Sequence, residues 1–161
     1  MLKTLTARFF DLKVEEIADM EWDSLPVVDT DTDLESVLGI LRDKDHLWVV
    51  DNCKNRILQG VITEKDFLDV LSPPKIKGFV FGMPEVRSLH MGNVEVAADI
   101  MTKKAITCKR TAKLGDVIEN MRFYRVKRMP VVEGKRLVSE VTLNLLIKKY
   151  HDALNYIDVT R

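Results

Sequence analysis

Apolar positions along the chain follow two rhythms in alternation. Leu34, Val37, Leu38 and Leu41 recur at i, i+3, i+4 and i+7, and so do Leu114, Val117, Ile118 and Met121. That period predicts a buried stripe on each of two helices. Each stripe leads to a short apolar run that stops at an acid, LWVVD at 47–51 and MPVVE at 129–133. Val-rich runs of that length predict strands. A tight polar turn follows, Asn52 to Asn55 in one case and Gly134-Lys135 in the other. Then come a second strand, ILQGVIT or RLVSEVT, and a further helix. The apolar pieces LPVVD at 25–29 and AITCK at 105–109 predict the first strand of each series. Strand, helix, strand, strand, helix therefore occurs twice. Leu34 and Leu114 are 80 residues apart, and Thr63 and Thr142 are 79 apart. The chain is an internal duplication.

The fold class expected is α/β in the α+β sense, two βαββα units packed with pseudo-twofold symmetry. A single unit of about 45 residues buries too little surface to be stable alone, whereas two sharing a face make a sensible domain. Two similar units also create two similar clefts, the natural place for a ligand. The domain reading is an N-terminal segment 1–13, a first repeat 14–72, a connecting segment 73–97, and a second repeat 98–161 with a C-terminal helix. The connection is rich in Pro and Gly and is expected to be irregular with one short helix. Residues 3–20 are expected to form a helix that packs on the body or on a partner.

Composition narrows the function. Of the 161 residues 46% are hydrophobic, enough for a packed core. The 25 basic and 25 acidic residues cancel, which argues against a protein devoted to nucleic acid. The stretch KKAITCKR at 103–110 is the candidate basic patch. Cys53 and Cys108 are isolated, too few for a disulfide framework, and fit a reducing compartment. No run approaches the roughly 20 apolar residues of a membrane span. The N-terminal stretch carries acids and no long apolar segment, unlike a signal peptide. A cytoplasmic protein without a membrane partner is expected. His46, His90 and His151 are scattered, and no Walker loop, G-x-G-x-x-G or nucleophile elbow is present. No catalytic residue, metal site or resident cofactor is assigned, and the chain is read as a non-enzyme. Met20, Met101 and Met129 read as core filler.

The stretch GVITEKD at 60–66 carries the candidate chemistry. Asp66 falls in the first turn of the helix after Thr63. A carboxylate offers about four acceptor sites and can take both hydroxyls of a vicinal diol. The helix start presents free N–H groups that favour a phosphate, and Lys65 adds a charge. Gly60, without a side chain, would let a ligand approach the strand closely. The same T-x-x-D pattern is also a capping box, with Thr63 capping the helix and Asp66 reaching back to the Thr63 N–H. In the second copy Ser139 replaces the glycine, Thr142 is kept, and Leu145 stands where the carboxylate would be. Asn144 is one residue early and about 100° round the helix. One competent and one degenerate cleft are expected. Glu140, inside an otherwise apolar strand, suggests an edge position or a basic partner.

The duplicated patterns LWVVDNCKNRILQGVITEKDFL and RMPVVEGKRLVSEVTLNLL, with EEIADM and AADIMTKKAITC before them, resemble a tandem pair of CBS domains, a Bateman module. The resemblance spans about residues 14–156. It implies a regulatory module that binds an adenosine-containing ligand: AMP, ADP, ATP or S-adenosylmethionine. It implies that Asp66 bonds the ribose diol and that the Thr63 hydroxyl reaches ribose or phosphate. From the other repeat it implies Thr102, then Ile106 and Val126 as an apolar sandwich for the base, and Lys127 or Arg128 on a phosphate. His46 stands where a phosphate-contacting basic residue is common in the family, though a lone His there also reads as a plain surface residue. Ile106 and Val126 read equally as core, and Lys127 and Arg128 as a solvated rim. The resemblance also implies a homodimer and a protein partner that reads the ligand-induced shift. The rival reading is a scaffold whose site has decayed and which serves dimerisation or partner binding.

Overall fold

The computed structural model describes residues 2–71 and 94–159. It divides into two compact units, one formed by Met1–Leu25 with Ala105–Arg161 and the other by Pro26–Lys104. We call them the discontinuous and the continuous unit.

The continuous unit opens with β1 (Val27–Asp29), α2 (Leu34–Leu41), β2 (His46–Val50), β3 (Leu58–Thr63) and α3 (Glu64–Leu71), and closes with α4 (Ala97–Ile100). The sheet order is β1-β2-β3, with β1 parallel and β3 antiparallel to β2. Alternation along β2 sends Leu47 and Val49 into a core with Val28, Val37, Leu41, Ile62 and Ala97. Two carboxylates start the helices. Asp33 accepts the Ser36 N–H at 2.9 Å ahead of α2, and Asp99 accepts the N–H groups of Glu95 and Val96 at 2.9 and 3.0 Å around α4.

The discontinuous unit holds α1 (Leu2–Asp11), a 3₁₀ turn at Val14–Glu16, α5 (Leu114–Phe123), β4 (Arg128–Glu133), β5 (Arg136–Thr142) and α6 (Leu143–Val159). A second 3₁₀ turn, Trp22–Ser24, follows the first. Phe9, Val14, Ile17, Leu114, Val117, Met121, Met129, Val131, Val141 and Leu146 are buried in its core. Phe9 meets Tyr150 edge-to-face at 5.2 Å, an arrangement the ring quadrupoles favour. Arg110 bridges Glu15 at 2.8 Å and Glu133 at 2.9 Å, tying the N-terminal segment to the second repeat.

The units do not follow the order of the repeats. The chain at the start of the first repeat packs on the second, and the chain at the start of the second packs on the first. The two straps, 12–19 and 95–102, dock in the same way. Val14 N–H donates to Ala112 as Ala97 N–H donates to Thr32. Glu15 N–H donates to Arg110 as Ala98 N–H donates to Thr30, and Leu114 N–H donates to Leu12 as Leu34 N–H donates to Glu95. Strap positions correspond at a spacing of 83 residues, and the loops they dock on at 80.

Both long sequence stripes form the expected helices, and β5 has the predicted bounds. Three expectations change. The helix expected over 3–20 ends at Asp11, because Lys13 turns extended (φ −88°, ψ 154°) and the chain from Leu12 onward gives its backbone bonds to the second repeat. The piece AITCK makes a single parallel bridge, Cys108 to Val131, in place of a strand. Met20 is exposed at 38% and is not core, whereas Met129 is fully buried. Glu140 sits on β5, whose one strand neighbour among the described residues is β4, so the edge position holds. Most of the connection 73–97, with His90, lies outside the described residues.

Candidate functional site

In the continuous unit β3 delivers Thr63 to the start of α3, where Thr63 pairs with His46 across the ladder. Asp66 lies one turn into the helix and turns back. Its Oδ2 accepts both the Thr63 N–H and the Thr63 hydroxyl at 2.7 Å. Its Oδ1 accepts the Thr102 hydroxyl at 2.9 Å, from a residue that the strap brings in. The capping-box reading therefore holds in its second half, with the Asp66 carboxylate on the Thr63 N–H. The Thr63 hydroxyl points its proton at the same carboxylate.

Gly60 has a different reason from the one its sequence suggested. A Cβ there would lie 2.6 Å from the Thr102 carbonyl oxygen and 3.0 Å from Met101 Sδ. What approaches the strand is the protein's own strap, which bonds β3 through Val61 N–H to Thr102 O at 3.0 Å and Thr102 N–H to Val61 O at 2.8 Å. His46 is likewise no plain surface residue. It is 5% exposed, its Nδ1 lies 2.7 Å from Asp45 Oδ1, and its ring meets Trp48 edge-to-face at 5.2 Å. Lys65 is exposed in the first turn of α3. The structure thus brings Thr63, Asp66 and Thr102 together, with Gly60 and His46 beside them.

The other candidates belong to the discontinuous unit. Ile106 and Val126 are partly buried against its core. Val126 is set by the end of α5, where Arg125 takes a left-handed conformation (φ 53°) and the Val126 N–H returns to Met121 O at 3.0 Å. Lys127 is exposed and its carbonyl accepts the Leu143 N–H at 2.8 Å. Arg128 is half-buried opposite Thr142 in the ladder. At the start of α6 the Thr142 hydroxyl accepts the Leu145 N–H at 3.1 Å, an ordinary N-cap. Ser139, in the place of Gly60, is buried and its hydroxyl donates to the carbonyl of Asp19.

Sequence reasoning missed Asp19 and the role of Ser139. The available signal was the pair of strap segments VEEIAD at 14–19 and AADIMT at 97–102, whose correspondence emerges once the chain is folded. Among the described residues no group of three or more His, Cys, Asp or Glu is placed to hold a metal ion. Among them, too, no helix is long and apolar enough to cross a membrane. The arrangement at Asp66 is suited to recognition: a fixed carboxylate, two hydroxyls able to turn, and a helix start.

The CBS domain family profile matches residues 14–73 and 96–152. No curated protein sequence matches the chain. Among solved structures, CBSX2 in complex with AMP aligns at TM-score 0.69 and 21% identity, over 92% of this chain and 98% of that one. The CBS domain pair of protein MJ0100, in complex with 5′-methylthioadenosine and S-adenosyl-L-methionine, aligns at TM-score 0.63 and 21% identity, over 86% and 99%. The CBS domain of the bacterial CNNM/CorC family Mg2+ transporter, in complex with ATP, aligns at TM-score 0.65 and 16% identity, over 92% and 94%.

Proposed function

The chain belongs to the CBS domain family as a duplicated pair, and from that premise we propose that it is a non-catalytic regulatory module for an adenosine-containing ligand. The convergence of Thr63, Asp66 and Thr102 at the start of α3 carries this reading. Asp66 accepts the ribose hydroxyls, and the two threonine hydroxyls turn to meet the ligand as it arrives. The roles that the family resemblance implies for Ile106 and Val126 at a base, and for Lys127 or Arg128 at a phosphate, fall to residues of the discontinuous unit. Similar structures bound to AMP, to ATP and to S-adenosylmethionine support the adenosyl class and leave AMP, ADP, ATP and S-adenosylmethionine as candidates. Binding acts by favouring one arrangement of the module over another, in proportion to its differential affinity for the two. A homodimer and a partner protein that reads the change belong to the same proposal.

One observation favours a second reading. Asp66 is already satisfied by three internal donors, as a purely structural residue would be. On that reading the module is a scaffold for dimerisation or partner binding.

Thermal unfolding against AMP, ADP, ATP, S-adenosylmethionine and GTP, with Asp66→Ala alongside, separates the two. A ligand that binds only the folded protein stabilises it by about 2.7 kcal/mol at a hundredfold excess over Kd. A shift with an adenosyl ligand that disappears in Asp66→Ala supports the sensor. The scaffold takes its place when none of the four adenosyl ligands moves the transition.

A further inference from the structure

We infer that the turn after α5, RFYRVKR at 122–128, binds single-stranded nucleic acid, with Phe123 as its stacking platform. The first repeat supplies the contrast. Arg42 and Arg122 correspond at the ends of α2 and α5. His46 and Arg128 correspond at the starts of β2 and β4, where each pairs with the threonine that precedes the last helix, Thr63 or Thr142. Between these points the first repeat has Asp43-Lys44-Asp45 and the second has Phe123-Tyr124-Arg125-Val126-Lys127. Asp43 bridges Arg42 at 3.1 Å and Asp45 lies 2.7 Å from His46, so the first turn carries its own counter-charges. The second turn has four cations, Arg122, Arg125, Lys127 and Arg128, and no acid. Among the described residues Arg122, Arg125 and Lys127 are exposed and make no ion pair.

A cation in the last turn is ordinary at a helix C-terminus. The aromatic pair beside it is not. Phe123 is 79% exposed and Tyr124 49%, and their rings meet edge-to-face at 4.9 Å. That contact holds the rings against each other, and the exposure of Phe123 leaves its ring open to a base. A hollow of about 390 Å³, lined by Glu119, Asn120, Arg122 and Phe123, lies beside it. The hollow offers a base edge one amide and one carboxylate. Arg125 takes the left-handed conformation (φ 53°) that glycine adopts at least cost, so a guanidinium is kept here against the backbone preference. Stacking on an aromatic ring tolerates any base, because every base has a π-face, and the cations meet the phosphates. An anionic membrane would use the charges and leave the hollow without a partner. The chain as a whole carries no net charge, so the attraction is local to this turn. The inference does not depend on the reading of Asp66.

Fluorescence anisotropy of the full chain with labelled oligouridylate and oligothymidylate, each about 12 nucleotides long, tests it. Binding should weaken with salt at a log–log slope of about −2, as for three phosphates on a single strand. Phe123→Ala should lower affinity about tenfold and leave that slope unchanged. Arg125→Gly, which suits the backbone, should reduce the slope by about 0.7. Phe123→Asp, which copies the first repeat, should abolish binding. Melting of Phe123→Ala should match the wild type, since the ring is exposed. Asp66→Ala and an excess of AMP should leave oligonucleotide binding intact. Heparin and vesicles of phosphatidylcholine with phosphatidylserine are the rival probes. Tighter binding to either of them than to the oligonucleotides would mark a general anionic contact and overturn the inference. Oligonucleotide binding that is absent at about 50 mM salt, undiminished in Phe123→Ala, or displaced by AMP overturns it too. In each of these cases the adenosyl reading is decided separately, by the thermal shift and its loss in Asp66→Ala.

Discussion

Thr102 donates its hydroxyl to Asp66 Oδ1 at 2.9 Å across 36 residues of chain. The bond joins the start of α3 to the strap that leads into the second repeat. It also shows how full the Asp66 carboxylate is without a ligand: three of about four acceptor sites are taken. A diol needs two, so the proposed ribose contact requires at least one protein donor to turn away. The Thr63 N–H is fixed, and the hydroxyls can rotate.

Removing first one donor and then the shared acceptor gives graded losses. Thr102→Val deletes a single hydrogen bond and should lower stability by about 0.5–1.5 kcal/mol. Asp66→Ala deletes the reach back to Thr63 as well and should cost about 1–3 kcal/mol. Urea denaturation of the two variants checks the order. Equal losses would show that the cap contributes nothing beyond the strap bond.

Gly60→Ala should be worse than its single methyl suggests. The new Cβ would lie 2.6 Å from the backbone oxygen of Thr102, a residue held to β3 by two hydrogen bonds. Strap and strand must separate, an overpacking cost of about 1–3 kcal/mol. Ser139→Ala, at the corresponding position, removes one hydrogen bond and adds no atom, so about 1 kcal/mol is expected. Chemical denaturation of both proteins decides, and a neutral Gly60→Ala would refute the close approach.

Acid should weaken the protein through its helix caps. Backbone hydrogen bonds, from Ser36 to Asp33 and from Glu95 and Val96 to Asp99, hold both carboxyls below their ordinary 3.8. A depressed native pKa means that the unfolded chain binds more protons as pH falls. The stability from these caps is therefore full above about pH 4, and it disappears as pH drops through the native values. The melting temperature should fall with acid below that point, and less steeply in Asp33→Asn and Asp99→Asn. Identical slopes in wild type and variants would remove the caps as the cause.

The two thiols should separate by reactivity. Burial pushes Cys108 up to about 12, while Cys53 is exposed and is raised by its bond to Asp29, 3.1 Å from Sγ to Oδ1. Thiolate is the reactive form. With a disulfide reagent at pH 8, Cys53 should react slowly, faster after Asp29→Asn, and Cys108 only after unfolding. Prompt modification of both would contradict the buried position of Cys108.

Much of the architecture was legible because it is local. Leu34 to Leu41 and Leu114 to Met121 each bury one helical face, and burial enforces the period. Strands that stop at Asp51 and Glu133 end where the chain meets polar turns. The straps were not legible. Glu15 and Ala98 commit their N–H groups to partners far along the chain, and no periodicity records that choice. Gly60 looked like room for a ligand because sequence shows a missing side chain and not what fills the space. The contact of Asp66 with Thr63 followed from the T-x-x-D spacing. Thr102 needed the family pattern, and the bond from Ser139 to Asp19 needed the fold.

The exchange of straps also orders the protein's assembly during synthesis. Pro26–Lys104 is one uninterrupted stretch, so the continuous unit has all its parts once its last residue has left the ribosome. The discontinuous unit is built from both ends of the chain. Phe9, Val14 and Ile17, made first, must wait for Leu114, Val131 and Leu146 before their core can close. Until then the apolar side chains of the nascent N-terminal segment lack the partners that bury them in the finished protein.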